Sequence, residues 1–308
     1  PILDKSTERE LERIVDKESP DIIYLHNVTN FRVIEKLVTL KPVVRFIHDA
    51  RPLCPSTGFQ ILPRSNHICN YPLSYRCLIN AYKNRCLPRN PATLFSLMRS
   101  KFNEIDINKK INKILVSSGY MRDCLKKNGF NQKKIEIISY FADPDNAFLK
   151  EREEDNTIIF VGRLHWSKGL SYLLQALTYV KEPFKLLVCG EGPYEKEVKL
   201  LTKDLGLSNR VEFTGWQDRH NLAKLYLMSS VVVVPSIWPE PFGIVGIEAM
   251  SYAKPVVAFR VGGIGEWLKD GENGFLVGRC DIQTLSEKIC ILLKNKNLSI
   301  EMGKKGKE

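Results

Sequence analysis

Between Trp238 and Met250 the segment WPEPFGIVGIEAM sets two carboxylates, Glu240 and Glu248, around a Pro-Phe-Gly turn, with seven uncharged residues between them and the apolar run VVVVPS just before. Two cations occupy a comparable place upstream: Arg163 and Lys168 follow the apolar run TIIFVG and flank the start of a helical stretch. Gly190 and Gly192, in GEGP, follow a third run, FKLLVC. A helix starting near Gly243 offers the free amides of Gly243, Ile244 and Val245, and with its dipole it favours an anion. With Arg163 and Lys168 neutralising a diphosphate there, the two acids cannot be phosphate ligands, because like charges repel. They can accept hydrogen bonds from hydroxyls on either side of the phosphates, one acid facing a ribose and the other a sugar. A nucleotide sugar has this layout. Taken singly, each acid reads equally as a dipole partner or a turn cap, and GxG as a plain tight turn. The combination at successive strand ends favours the ligand.

The elements that must position these residues alternate along the chain. Short Val/Ile/Leu runs are separated by amphipathic stretches, as a parallel sheet covered on both faces requires. DIIYLHN, PVVRFIHD, ILVSS and IEIIS read as strands of a first half; TIIFVG, FKLLVCG, RVEFTG, VVVVPS, KPVVAF and GFLV read as strands of a second. STERELERIVDKE opens the chain as a helix, with Thr7 and Glu10 spaced for a capping box, and IQTLSEKICILLK reads as its last helix. The polar, acidic stretch YFADPDNAFLKEREEDN marks a boundary. The expected organisation is a first α/β domain over 1–141 with a cysteine-rich insertion at 50–91, a linker over 142–156 and a second α/β domain over 157–308. Ligands of doubly wound sheets bind at the carboxyl ends of the strands, where all the residues named above fall.

Read together, E-P-F-G-I-V-G-I-E resembles the EX7E signature of retaining glycosyltransferases of family four. FVGRLHWSKG, VCGEGP, RVEFTGW, VVVVPSIWPEPFG and EAMSYAKPVVAFRVGGIGEWLKDGENGFLV follow in that family's order, and PDIIYLHN and FIHD match its first domain. The resemblance implies the GT-B fold, two Rossmann-like domains facing a cleft. It implies that Arg163 and Lys168 hold the diphosphate, that Glu240 binds donor-sugar hydroxyls, and that Phe242, Gly243, Ile244 and Val245 meet sugar and phosphate through backbone groups. It further implies that Glu248 holds the ribose, that Val211 lies against the base, and that His48, beside Asp49, reaches the donor sugar. The catalytic set is then Glu240, His48, Arg163 and Lys168. No cofactor or metal is required, since the two cations serve in its place, and a UDP- or GDP-sugar is the expected donor. The acceptor is a glycan or lipid-linked acceptor in cell-surface polysaccharide or glycolipid synthesis. The alternatives are a nucleotide-sugar epimerase on the same fold and a non-catalytic nucleotide-sugar-binding fragment.

Relatives of this kind begin with a strand, a glycine-rich loop and a helix, and end in a long helix after the point where this chain stops at GKKGKE. The expectation is therefore an incomplete first domain and weak or no transferase activity. The insertion holds Cys54, Cys69, Cys77 and Cys86, candidate metal ligands whose spacings of 15, 8 and 9 positions match no known knuckle; thiols packing a lid are the alternative. A net charge of +11 asks for an anionic partner. No nucleic-acid motif accompanies it, and a cytoplasmic protein making peripheral contact with an anionic membrane at its inner face explains it better. No apolar run is long enough to span a membrane.

Overall fold

The computed structural model describes residues 3–56, 60–144 and 156–308. The chain forms two compact units, Pro1–Ser139 and Tyr140–Glu308. Most of the expected linker, residues 145–155, lies outside the described residues.

The first unit runs α1 (Lys5–Glu18), β1 (Ile23–Leu25), α2 (Phe31–Leu40), β2 (Val43–Ile47), β3 (Ile61–Leu62), β4 (His67–Ile68), α3 (Arg76–Lys83), α4 (Pro91–Lys110), β5 (Lys113–Val116), α5 (Gly119–Lys127) and β6 (Ile135–Ile137). Its main sheet is parallel in the order β1-β2-β5-β6. Its core is a cluster including Ile34, Val43, Ile47, Ile111, Ile114, Met121 and Leu125, contributed by both strands and helices. Helix α1 is capped by Asp4, whose carboxylate accepts from the amides of Ser6 and Thr7. The expected Thr7–Glu10 box is thus displaced by an acid one turn earlier. Within the insertion, β3 and β4 pair as an antiparallel hairpin ahead of α3.

The second unit runs β7 (Thr157–Val161), α6 (Leu170–Leu177), β8 (Lys185–Cys189), α7 (Glu195–Asp204), β9 (Val211–Gly215), α8 (Arg219–Met228), β10 (Val231–Val234), α9 (Ile244–Ser251), β11 (Val256–Phe259), α10 (Ile264–Trp267), β12 (Gly274–Val277), α11 (Ile282–Lys294) and α12 (Lys296–Lys307). Its six parallel strands lie in the order β12-β11-β10-β7-β8-β9. The chain fills one side of β7 with β8 and β9, then returns to β7's other side with β10. The carboxyl ends of β7 and β10 therefore flank a topological switch point, where doubly wound sheets take ligands. The strands are continuous apolar runs because both faces are covered: all four valines of β10 are buried. Helix α12 was not anticipated, being charged and carrying two glycines. Gly303 lets it approach closely, since a Cβ there would stand 1.9 Å from the Ala253 carbonyl. Among the described residues no helix is long and apolar enough to cross a membrane.

Ile159 is fully buried at the middle of β7, between Leu187 of β8 and Val232 of β10. Ile159→Ala is expected to destabilise the second unit by about 2–5 kcal/mol, read as a lower urea midpoint by far-UV circular dichroism. A loss below about 1 kcal/mol would mean that the site is not a tightly packed sheet centre.

Candidate functional site

The loops after β7 and β10 are tied together at the switch point. The Ile237 amide donates to the Ser167 carbonyl (2.9 Å), and Gly169 sits so close to Pro235 that a Cβ would meet its carbonyl oxygen at 1.8 Å. Within this junction Glu240 is only 6% exposed. Its Oε1 accepts from Lys168 Nζ (2.7 Å), Ser236 Oγ (2.6 Å) and Trp238 Nε1 (2.7 Å). The Lys168 ammonium also lies over the Trp238 ring, 5.2 Å from its centroid. The backbone of Glu240 is clamped as well: its carbonyl accepts from the Gly263 amide (2.8 Å), and a Cβ on Gly262 would lie 2.0 Å from the same oxygen. Ser236, Trp238 and this glycine pair were not picked out from the sequence. The only trace there is VGG in a loop, which reads as an ordinary turn.

Helix α9 starts at Gly243, a left-handed cap at φ 87°, with Ile244 and Val245 in its first turn, where amides lack an intrahelical acceptor. Trp267 fixes this start from below: its Nε1 donates to the Phe242 carbonyl (2.5 Å), and its ring packs where any Cβ on Gly246 would stand 2.0 Å away. Glu248 follows one turn in and accepts from Tyr226 Oη (3.2 Å). Burial holds the Glu248 carboxyl above the ordinary carboxylate range, against the opposing pull of Tyr226 and Arg219. It lines a cavity of about 420 Å³ with Arg219, Leu222, Tyr226 and Tyr252. A second cavity of about 420 Å³ is lined by Arg163, Gly190, Glu191, Trp216 and Leu222. Leu222 of α8 belongs to both. Lys168 and Glu240 line neither of these two.

The structure thus brings Arg163 and Gly190 to one cavity, Glu248 to the next, and Lys168 and Glu240 to a bonded cluster at the switch point. One expectation changes. Val211, expected against a base, stands at the amino end of the edge strand β9, paired with Leu186 at the start of β8; the strand's carboxyl end is what lines the cavity, through Trp216. At Gly192 a Cβ would stand 2.2 Å from the Leu164 carbonyl, so the loops after β7 and β8 approach closely there, as they do at Gly190, where a Cβ would stand 2.0 Å from the Gly162 carbonyl. The same loops are joined by the Leu164 amide donating to the Glu191 carbonyl (2.9 Å).

In the first unit, His48 follows β2 and its Nε2 lies 2.9 Å from His26 Nδ1, a partner at the end of β1 that the sequence reading passed over. Burial first, then His26, lower its pKa below the ordinary histidine value, so His48 is neutral at pH 7. Asp49 is engaged by Arg51 Nε at 2.8 Å. Cys54, Cys69, Cys77 and Cys86 are free thiols.

A model of the family described as "Glycosyl transferases group 1" matches residues 142–308, more than half of the chain. An uncharacterized glycosyltransferase of Methanocaldococcus jannaschii is 40% identical over 154 residues, 49% of this chain and 39% of that protein. The alpha-D-kanosaminyltransferase of Streptomyces kanamyceticus is 26% identical over 219 residues, 65% of this chain and 56% of that protein. The chain therefore spans about two fifths to three fifths of the length of these relatives. Among solved structures, Anabaena Alr3699/HepE in complex with UDP and glucose superposes with a TM-score of 0.69 at 20% identity, over 96% of this chain and 75% of that one. At that identity the likeness speaks for the fold alone, the α/β GT-B fold with its Rossmann-like parallel sheets.

The raised Glu248 pKa has a signed consequence. The folded state holds the Glu248 proton more tightly than the unfolded chain, so stability falls as pH rises from the ordinary value of 4.5 through the folded pKa. Glu248→Gln removes this penalty. The variant is expected to melt higher than wild type at pH 7, with the gap closing below pH 4.5. Thermal melts from pH 4 to 8 measure it; a gap independent of pH would contradict the assignment.

Proposed function

The chain belongs to the glycosyl transferases group 1 family, and on that premise we propose that it moves a sugar from a nucleoside diphosphate sugar to a hydroxyl acceptor with retention of anomeric configuration. The observation that carries this reading is the Lys168–Glu240 cluster, set at the switch point between Arg163 and the start of α9. In the proposed complex the diphosphate meets Arg163, Lys168 and the first-turn amides Ile244 and Val245. An ammonium has three N–H donors, so Lys168 can keep Glu240 in place while giving others to phosphate. Glu240, held by three donors on Oε1, offers its carboxylate to donor-sugar hydroxyls. Glu248 takes the ribose hydroxyls, and Trp216 supplies an aromatic face for the base in the role first given to Val211.

Retention follows from front-face attack. The acceptor oxygen bonds to the anomeric carbon on the face the diphosphate leaves, and the departing phosphate oxygen takes the acceptor's proton. No enzymatic nucleophile is needed, and the acceleration comes from positioning and from cations facing the charge that develops on the leaving group. Arg163 and Lys168 supply that charge, so this mechanism requires no metal. His48, neutral at pH 7, remains the first unit's candidate catalytic group, as a hydrogen-bonding partner rather than a cation. We place the enzyme in the cytoplasm, using a UDP- or GDP-sugar. Its acceptor is a glycan or lipid-linked chain of surface polysaccharide or glycolipid synthesis, and exposed lysines make peripheral contact with anionic lipid. UDP is bound in the Anabaena complex, which makes the uridine series the first to test.

Calorimetric titration with UDP, GDP, ADP and their hexose conjugates tests the donor site. One series is expected to saturate, and Lys168→Ala and Glu248→Ala are expected to lose it while keeping the wild-type circular dichroism spectrum. With a matched acceptor, Lys168→Ala should lower kcat by about 10²–10³-fold. Absence of saturable binding by every nucleotide would sink the proposal; binding with hydrolysis or transfer absent would leave a binding protein in its place.

A further inference from the structure

The insertion between β2 and α4 plays no part in the site at β7 and β10. Among its described residues are two strands of two residues each and one eight-residue helix, α3. Its buried apolar side chains include Leu53, Ile61, Leu73, Ala81 and Leu87. Of these, Leu53, Leu73, Ala81 and Leu87 belong to the core cluster of the first unit.

Four cysteines come from four different local structures of this segment. Cys54 closes a turn, its amide donating to the Ala50 carbonyl (2.9 Å). Cys69 follows β4, Cys77 lies in the first turn of α3, and Cys86 lies in the loop beyond it. Despite spacings of 15, 8 and 9 positions, all four line one cavity of about 30 Å³. The rest of that lining is uncharged, including Pro55, Gln60, Ile61 and Leu87. All four are partly buried, and Cys77 and Cys86 also pack against the core cluster that contains the buried Cys124. Burial raises the Cys54, Cys77 and Cys86 thiols above the ordinary cysteine value, Cys86 to about 11, so they are protonated until an ion displaces the protons. His67, also in the segment, is exposed and does not line the cavity. Among the described residues no group of three or more His, Cys, Asp or Glu is placed to hold a metal ion as the side chains stand, and binding one here requires the four thiols to turn into the shared cavity.

We propose that Cys54, Cys69, Cys77 and Cys86 form a structural zinc site that staples the insertion to the end of β2. Four thiolates around a divalent ion make the closed tetrahedral set zinc favours, with no open position for catalysis. On binding, each thiol releases its proton to solvent and gives a sulfur lone pair to Zn²⁺. No electron is transferred, and the centre carries a net charge of −2. The site would fix the turn that begins at Asp49, next to His48, and so hold the insertion in one arrangement. This inference stands on the first unit alone and does not depend on the transferase reading.

The test is metal analysis of the whole chain, purified reduced, without a metal-affinity tag or chelator, then loaded with zinc and dialysed. About one zinc per chain is expected. Cobalt exchange should give the intense sulfur-to-metal and tetrahedral ligand-field bands of a thiolate site. Four thiols should react with Ellman's reagent only after a strong chelator is added. Serine at any one of the four positions should lower zinc content, whereas Cys280→Ser, in the second unit, should leave it unchanged. Less than about a tenth of a zinc per chain, disulfides between these cysteines in freshly isolated protein, or zinc content unaltered in all four variants would each overturn the proposal.

Discussion

Burying a carboxylate is unfavourable by several kcal/mol unless the charge is paired and its oxygens are bonded. Glu240 is the place where the second unit meets that demand. Satisfying its Oε1 takes an ammonium from the loop after β7, and a hydroxyl and an indole from the loop after β10. Seating its backbone takes the Gly262–Gly263 turn beyond β11. Three segments far apart in sequence are thereby fixed on one charge, at the one point where the strand order reverses. A site assembled in this way is organised by the fold itself, as electrostatic stabilisation of a developing charge requires.

The neighbouring acid illustrates the opposite balance. Among the described residues the Glu248 carboxylate accepts one hydrogen bond, from Tyr226, in a partly buried setting that raises its pKa. It is a poor element of a stable fold, on the same helix whose start Trp267 clamps so firmly. The two glutamates share a sequence signature yet differ physically: Glu240 Oε1 accepts from three side chains, whereas the Glu248 carboxylate accepts from Tyr226.

The strand runs were legible because both faces of each sheet are covered, which leaves uninterrupted valine, isoleucine and leucine. The residues immediately after them were legible because a parallel sheet places its chemistry there. What escaped has equally definite causes. Asp4 took the cap of α1 because it lies one turn ahead of the patterned residues. Helix α12 has little apolar periodicity and depends on Gly303 for its contact. Val211 was assigned from the resemblance, which does not say which end of a strand a residue occupies; it stands at the amino end of β9, and Trp216 follows the carboxyl end. His26 needed the β1–β2 pairing to become visible beside His48. The contact between Gly192 and the Leu164 carbonyl needed the pairing of the two loops to become visible.

The chain has four tryptophans, and all four lie in the second unit. Trp166 follows β7, Trp216 follows β9, Trp238 donates to Glu240, and Trp267 holds the start of α9. The first unit has none. Indole emission from this protein is therefore an optical label confined to one half of the molecule and gathered around its strand ends. A fluorescence signal reports on that half alone, so unfolding of the other would pass unseen unless a second, chain-wide observable is followed beside it.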